Sequence, residues 1–168
     1  VISDGDASSA AVTRTVTVTP VNDVPVLSGV ESAALAYTEN DAATVVSSTI
    51  VVSDLDSITD ASLDTAEVSI SAGMQAGDVL SYGESGTGIT AAAFDTASGV
   101  LSLSGEATQD AWQTALRLVT YSSTSEDPTG TQASADRVVS FVISDGDASS
   151  AAVTRTVTVT PVNDVPVL

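Results

Sequence analysis

Apolar and polar residues alternate with period two along most of this chain. In "RVVSFVIS", Val139, Phe141 and Ile143 interleave with Val138, Ser140 and Val142, which predicts a strand with one strongly apolar face. The turn formers "SDGDASS" follow, and then Val153, Val157 and Val159 alternate with Thr154, Thr156, Thr158 and Thr160. The two runs read as a terminal β-hairpin, stopped by Pro161, which has no amide hydrogen for a ladder. Arg155 interrupts the valine face, which puts it near an open end or beside a bulge. Upstream, the β-branched run "AATVVSSTIVVSDLDS" (42–57) ends in an acidic turn, and "TAEVSISAG" sets Ala66, Val68 and Ile70 on one face. "DVLSYG", "GITAAAF" and "GVLSLSG" read as further short strands. Strands this short, separated by Gly, Ser and Asp, predict an all-β sandwich.

One segment departs from period two. In "ATQDAWQTALRLVTY", Trp112, Ala115, Leu116 and Val119 follow the i, i+3, i+4, i+7 spacing of an amphipathic helix. Thr108 suits the N-cap and Asp110 complements the positive end of the helix, so one short α-helix is expected over about 109–117. A strand is expected to follow near Leu118–Ser122. Trp112, the sole tryptophan, lies on the apolar face and is expected in the core.

The first 27 residues, "VISDGDASSAAVTRTVTVTPVNDVPVL", recur letter for letter at 142–168, an offset of 141. Chance does not supply an identity of that length, whereas a tandem array does. The expected organisation is a tail of a preceding repeat (1–20), an inter-repeat linker (21–30), and one full 141-residue repeat (28–168) ending in the next linker. The prolines of "TPVNDVPVLSG" stiffen that linker into an extended form. Residues 1–19 lack most of their partner strands. They are expected to extend away, to pair with an edge in another molecule, or, being identical to the closing strand, to compete for its place.

Charge narrows the function. Twenty-two acidic residues face 4 arginines, with no Lys, His or Cys, giving a net charge of −18. Nucleic acid needs a basic face and is an improbable partner. Catalysis by Cys or His, zinc held by thiolate or imidazole, and disulfides are excluded within this chain. No apolar run is long enough to span a membrane. The acids gather in turns: Asp4 and Asp6 with their copies Asp145 and Asp147, Asn22 and Asp23 with Asn163 and Asp164, "TEND" (Glu39, Asn40, Asp41), "SDLDS" (Asp54, Asp56) and "SEDP" (Glu126, Asp127). Hard oxygen donors suit Ca2+, which takes 6–8 oxygens, so several loops must converge on one ion. Asp, Asn and Gly also form turns by backbone chemistry alone. Five clusters at strand ends in a chain nearly without cations favour metal binding. Paired carboxylates also serve glycosidases, but nothing in the pattern indicates the cleft they need, and the expectation is a protein that is not an enzyme. The calcium nonapeptide and the EF-hand loop are both absent.

The closing segment "FVISDGDASSAAVTRTVTVTPVNDVPVL" resembles the end of a cadherin-like repeat, with its D-G turn, alternating strand and D-x-N-D-N-x-P linker. Asn163, Asp164 and Pro166 match, while Pro161 stands where that family has its first linker Asp. "YTEND" resembles the family's P-E-N start, with Thr38 in place of Pro, and "SDLDS" resembles its D-x-D turn. "GDVLSY", "GITAAAFDTASGVLSLSGEAT", "QTALRLVTYSSTSEDPTG" and "RVVSFVISDGD" are similar to bacterial cadherin-like and immunoglobulin-like repeats of giant secreted adhesins, including RTX adhesins. The resemblance implies a Greek-key sandwich and an extender module at the bacterial surface. It also implies type I secretion, a role in adhesion and biofilm formation, neighbouring repeats as partners of a monomeric module, no membrane insertion, and Ca2+ at the joints. Asn22 and Asp23 are then expected to meet Asp54, Asp56 and Asp145 at the N-terminal pole. Glu39 is expected to meet Asn163 and Asp164 at the other pole, with Glu126 or Asp127. The rival is an adhesive module that binds carbohydrate or protein through its loops, marked by exposed aromatic residues.

Overall fold

The computed structural model describes residues 1–56, 63–84, 86–129 and 136–164. Ser57, Gly130 and Pro166, which belong to motifs quoted above, lie outside them.

Alternation of apolar and polar residues builds two opposed layers. One is a six-stranded sheet in the order β2 (Leu35–Thr38), β11 (Val153–Thr160), β10 (Asp136–Ser144), β5 (Leu63–Ala72), β8 (Val100–Ala107), β7 (Thr90–Ala91). The other is a three-stranded sheet, β3 (Thr44–Val45), β9 (Val119–Ser123), β6 (Asp78–Tyr82). A separate pair, β1 (Val26–Ser28) and β4 (Val51–Ser53), runs antiparallel. Val68, Phe141, Ile143 and Val157 from the large sheet and Val119 and Tyr121 from the small one are fully buried. Tyr37 and Tyr121 meet edge to face, with ring centroids 5.0 Å apart. The protein is an all-β sandwich with one short helix.

The hairpin forms as its pattern predicts, β10 against β11, and Arg155 stands opposite Val139, beside a register shift between Val138 and Val139. The run 42–57 does not form one strand. Ser47 Oγ donates to Glu31 Oε2 at 2.6 Å and the Ser48 N–H to Oε1 at 3.0 Å. Serine groups turned onto a neighbouring carboxylate compete with a ladder, and the run divides into β3 and β4 in different sheets. "GITAAAF" contributes only the two residues of β7.

The helix α1 spans Gln109–Leu116, capped by Thr108, whose side chain accepts from the Ala111 N–H. Its apolar face buries Trp112, Ala115 and Leu116, and Trp112 Nε1 donates to the Leu63 carbonyl at 2.9 Å. On the side toward β4, Gln113 Oε1 accepts from the Val52 N–H and Gln109 Oε1 from the Asp54 N–H. Two amides one turn apart thus satisfy the N–H of Val52 in β4 and that of Asp54 just after it, and fix the start of the acidic turn.

All three arginines of residues 28–168 are spent inside the fold. Arg117 Nε donates to the Ile50 carbonyl, and Arg155 donates to the carbonyls of Ala33 and Val46 and pairs with Glu31 at 3.3 Å. Arg137 is fully buried, donating to Asp78 and to the Pro128 carbonyl. Arg14 lies in the exposed segment 1–24.

Candidate metal poles

The order of strands sends the two ends of the repeat to opposite poles. The Ser144–Ser149 turn between β10 and β11 closes one pole, and Thr160 ends β11 at the other.

At the first pole the linker folds back onto the turns. Asn22 Nδ2 donates to Asp145 Oδ2 at 3.0 Å, and the Asp23 N–H donates to Asp56 Oδ2 at 2.6 Å. Asp54 is buried, and its Oδ1 accepts from the Asp56 N–H at 2.9 Å. Asp145 Oδ1 accepts the N–H groups of Asp147 and Ala148. Partial burial pushes the Asp145 carboxyl up, but the Ala148 N–H, the Asn22 amide and the Asp147 N–H outweigh it and hold the group below its usual range. Asp145 is therefore ionised at neutral pH. The linker thus touches this pole at two places, Asn22 on Asp145 and Asp23 on the Asp54–Asp56 turn, although Asn22 and Asp145 lie 123 residues apart; among the described residues these acids do not gather into a three-carboxylate cluster.

Asp64 joins this pole and was not singled out from the sequence. A Cβ added to Gly146 would lie 3.0 Å from Asp64 Oδ2, and Gly146 has a φ of +92°, a conformation that side chains rarely adopt. The signal was hidden because it depends on β5 lying beside β10, with Thr65 opposite Ser144.

At the second pole, one carboxylate oxygen from each of Glu39, Glu126 and Asp164 lies within 4.8 Å of the others. Asn40 takes a left-handed φ of +66°, which Asn tolerates, and Asp41 Oδ2 caps the Thr38 N–H. This tight turn directs Glu39 inward. The Glu39 N–H donates to the Thr160 carbonyl at 2.9 Å, and Oε2 accepts from the Val162 N–H at 2.7 Å. Glu39 is buried, and its Oε1 has no hydrogen-bond partner. Of the two acids offered for this pole, Glu126 enters the cluster. Asp127 does not; its Oδ1 accepts from Thr129 Oγ1. Asn163 is exposed and donates its amide to the Asp164 carbonyl at 3.0 Å.

Carboxylates this close repel by about 1 kcal/mol per pair in a water-like medium and by about 3.5 kcal/mol at an effective dielectric constant of 20. Asp78 is paired with Arg137, and Glu31 with Arg155. The donor set at both poles is hard oxygen.

No family model, no curated protein and no solved structure matches this chain.

Proposed function

We propose that this protein is a cadherin-like extender repeat of a bacterial surface adhesin, a non-enzymatic module whose joints are made rigid by Ca2+. One observation carries the reading. Asp23 and Asp164 are the same residue of the 141-residue period, and so are Asn22 and Asn163. One copy of the aspartate lies with Glu39 and Glu126 at the far pole, and the other docks on Asp56 at the near pole. In a tandem array both sets of contacts belong to a single aspartate. The two poles are then halves of one joint, with Glu39, Glu126, Asn22, Asp23, Asp54, Asp56 and Asp145 around it.

A joint holding that many carboxylates calls for a bound cation, and the unpartnered Glu39 Oε1 offers it a dehydrated ligand. The architecture also suits tension. The repeat is entered at one pole and left at the other, with β2 parallel to β11 over four register pairs from Val157–Leu35 to Thr160–Thr38. Pulling the two ends apart shears that ladder, so its hydrogen bonds resist together. A repeat adds about 40 Å, of which β11 and its approach supply ~30 Å at about 3.3 Å per residue. The resemblance supplies the setting: outside the cell, exported by type I secretion, supporting adhesion and biofilm formation, with neighbouring repeats as partners.

The rival adhesive module draws no support from the aromatic residues. Trp112, Tyr37, Tyr121 and Phe141 are buried, and Phe94 and Tyr82 are partly buried. The test is a thermal melt of the chain in calcium and in chelator, with Asp54→Ala/Asp56→Ala beside the parent. Calcium is expected to raise the parent's midpoint, because a ligand bound only by the native state stabilises it, and to raise the variant's much less. An unchanged parent midpoint overturns the calcium joint.

A further inference from the structure

Glu39 and Glu126 reach the far pole from two loops, one after β2 and one after β9, and buried side chains beneath the pole join those loops. Tyr37 is 1% exposed. Its hydroxyl donates to the Asp41 carbonyl at 2.7 Å and accepts from the Ser123 N–H at 3.1 Å. Asp41 lies two residues after Glu39, and Ser123 three residues before Glu126. One buried hydroxyl thus bonds the backbone of both loops.

The second loop is anchored again on the other side of Glu126, where the buried Arg137 donates to the Pro128 carbonyl at 2.6 Å. Ser123 and Pro128 are buried, while Glu126 between them is exposed. Within this span the Ser125 N–H donates to Ser123 Oγ and the Asp127 N–H to Ser125 Oγ, each at 3.3 Å. The Thr124 N–H donates to the Gly77 carbonyl at 3.0 Å, next to Asp78. Asp78 supports both anchors from below. Its Oδ2 accepts from Arg137 Nε, and its Oδ1 accepts from the hydroxyl of Tyr121, whose ring meets that of Tyr37 edge to face.

We infer that Tyr37 is a positioning residue of the far-pole cation site, its hydroxyl fixing the Glu126 loop against the Glu39 turn before an ion arrives. The role rests on the calcium reading proposed above and names what gives that site its affinity. Carboxylates within 4.8 Å of one another repel, so a loop free to move would carry Glu126 away from Glu39 in the empty site. Glu39 itself is fixed, being buried with Oε2 accepting from the Val162 N–H. Anchors on both sides of Glu126 hold the acids together as the chain folds, so an ion meets a site already formed.

The test is calorimetric titration of the folded full chain with Ca2+, with thermal melts in chelator beside it. Binding that Glu39→Gln removes is assigned to the far pole. Tyr37→Phe keeps the ring and deletes only the hydroxyl, and it is expected to weaken that binding about 10–100-fold, as loss of a group that orients metal ligands does. Leu103→Ala is the control for general loosening, since Leu103 is buried in β8 opposite Ala66 and takes no part in the contacts beneath the pole. It is expected to lower the midpoint in chelator and to leave the calcium affinity within about twofold, because distant sites act independently. Equal affinity in Tyr37→Phe and parent overturns the role and leaves the calcium joint standing. An equal loss of affinity in Leu103→Ala also overturns it, since loosening of the core then suffices. A parent that binds no Ca2+ overturns the joint, and the role of Tyr37 with it.

Discussion

The Asp78–Arg137 pair ties the two sheets together through the core, and removing its acid is the strongest single perturbation the structure offers. Asp78 Oδ2 lies 2.7 Å from Arg137 Nε and accepts from the Gln75 N–H at 2.8 Å, while Oδ1 accepts from the Tyr121 hydroxyl at 2.7 Å. Both charged side chains are wholly buried. Asp78→Ala leaves a buried guanidinium without its counter-charge, which costs about 3–5 kcal/mol. The Tyr121 hydroxyl and Gln75 N–H also lose their acceptor, at about 1–3 kcal/mol each if neither finds water, and these losses overlap with the first. A loss of about 4 kcal/mol or more is expected. That is comparable to the whole stability of a small domain. In urea, with a slope near 2 kcal/mol per M, it moves the midpoint down by about 2 M. The decisive comparison adds Arg137→Met to Asp78→Leu. The apolar pair removes both charges, so the double variant is expected to be far more stable than the sum of the singles. An Asp78→Ala chain within 1 kcal/mol of the parent, or strict additivity in the cycle, refutes the reasoning.

Two further outcomes follow from carboxylates in opposite environments, Glu39 buried and Glu31 partly exposed. Glu39→Gln is expected to raise the melting midpoint in chelator, because it removes a buried charge whose Oε1 has no partner, and to lose most of the gain from calcium; equal calcium gains in variant and parent would place the ion elsewhere. Burial pushes the Glu31 carboxyl up, but donors on Ser47, Glu31 itself and Ser48 outweigh this and bring it down to about 2 from 4.5. Its stabilisation is therefore complete above pH 4.5 and lost as the pH falls toward 2. Glu31→Gln should cost about 1–2 kcal/mol at neutral pH and flatten urea midpoints across that window, and an unchanged slope would count against it.

The sequence by itself determined more than a list of strands. The turn "SDGDAS" occurs twice, once against the near pole and once in the exposed tail, and it makes the same bonds in both. Asp145 Oδ1 accepts from Asp147 and Ala148, and Asp4 Oδ1 accepts from Asp6 and Ala7. Ser144 Oγ donates to the Ala148 carbonyl, and Ser3 Oγ to that of Ala7. Every partner lies within four residues, so no tertiary context is needed. The helix of Gln109–Leu116 was legible for a similar reason, from one apolar face and a local cap.

The eight residues after that turn show where local chemistry stops. "VTRTVTVT" is a strand at 153–160 and is not one at 12–19, although the letters are identical. A strand has no hydrogen bonds of its own, so β10 and β2 decide whether it exists. Spacing along the chain also left open whether Glu126 or Asp127 enters the far pole, and gave no hint that Asp64 enters the near one. It did not show that Ser47 and Ser48 would break a β-branched run by turning onto Glu31. Each of these depends on groups brought together across the sandwich, because a carboxylate's position is set by what packs around it.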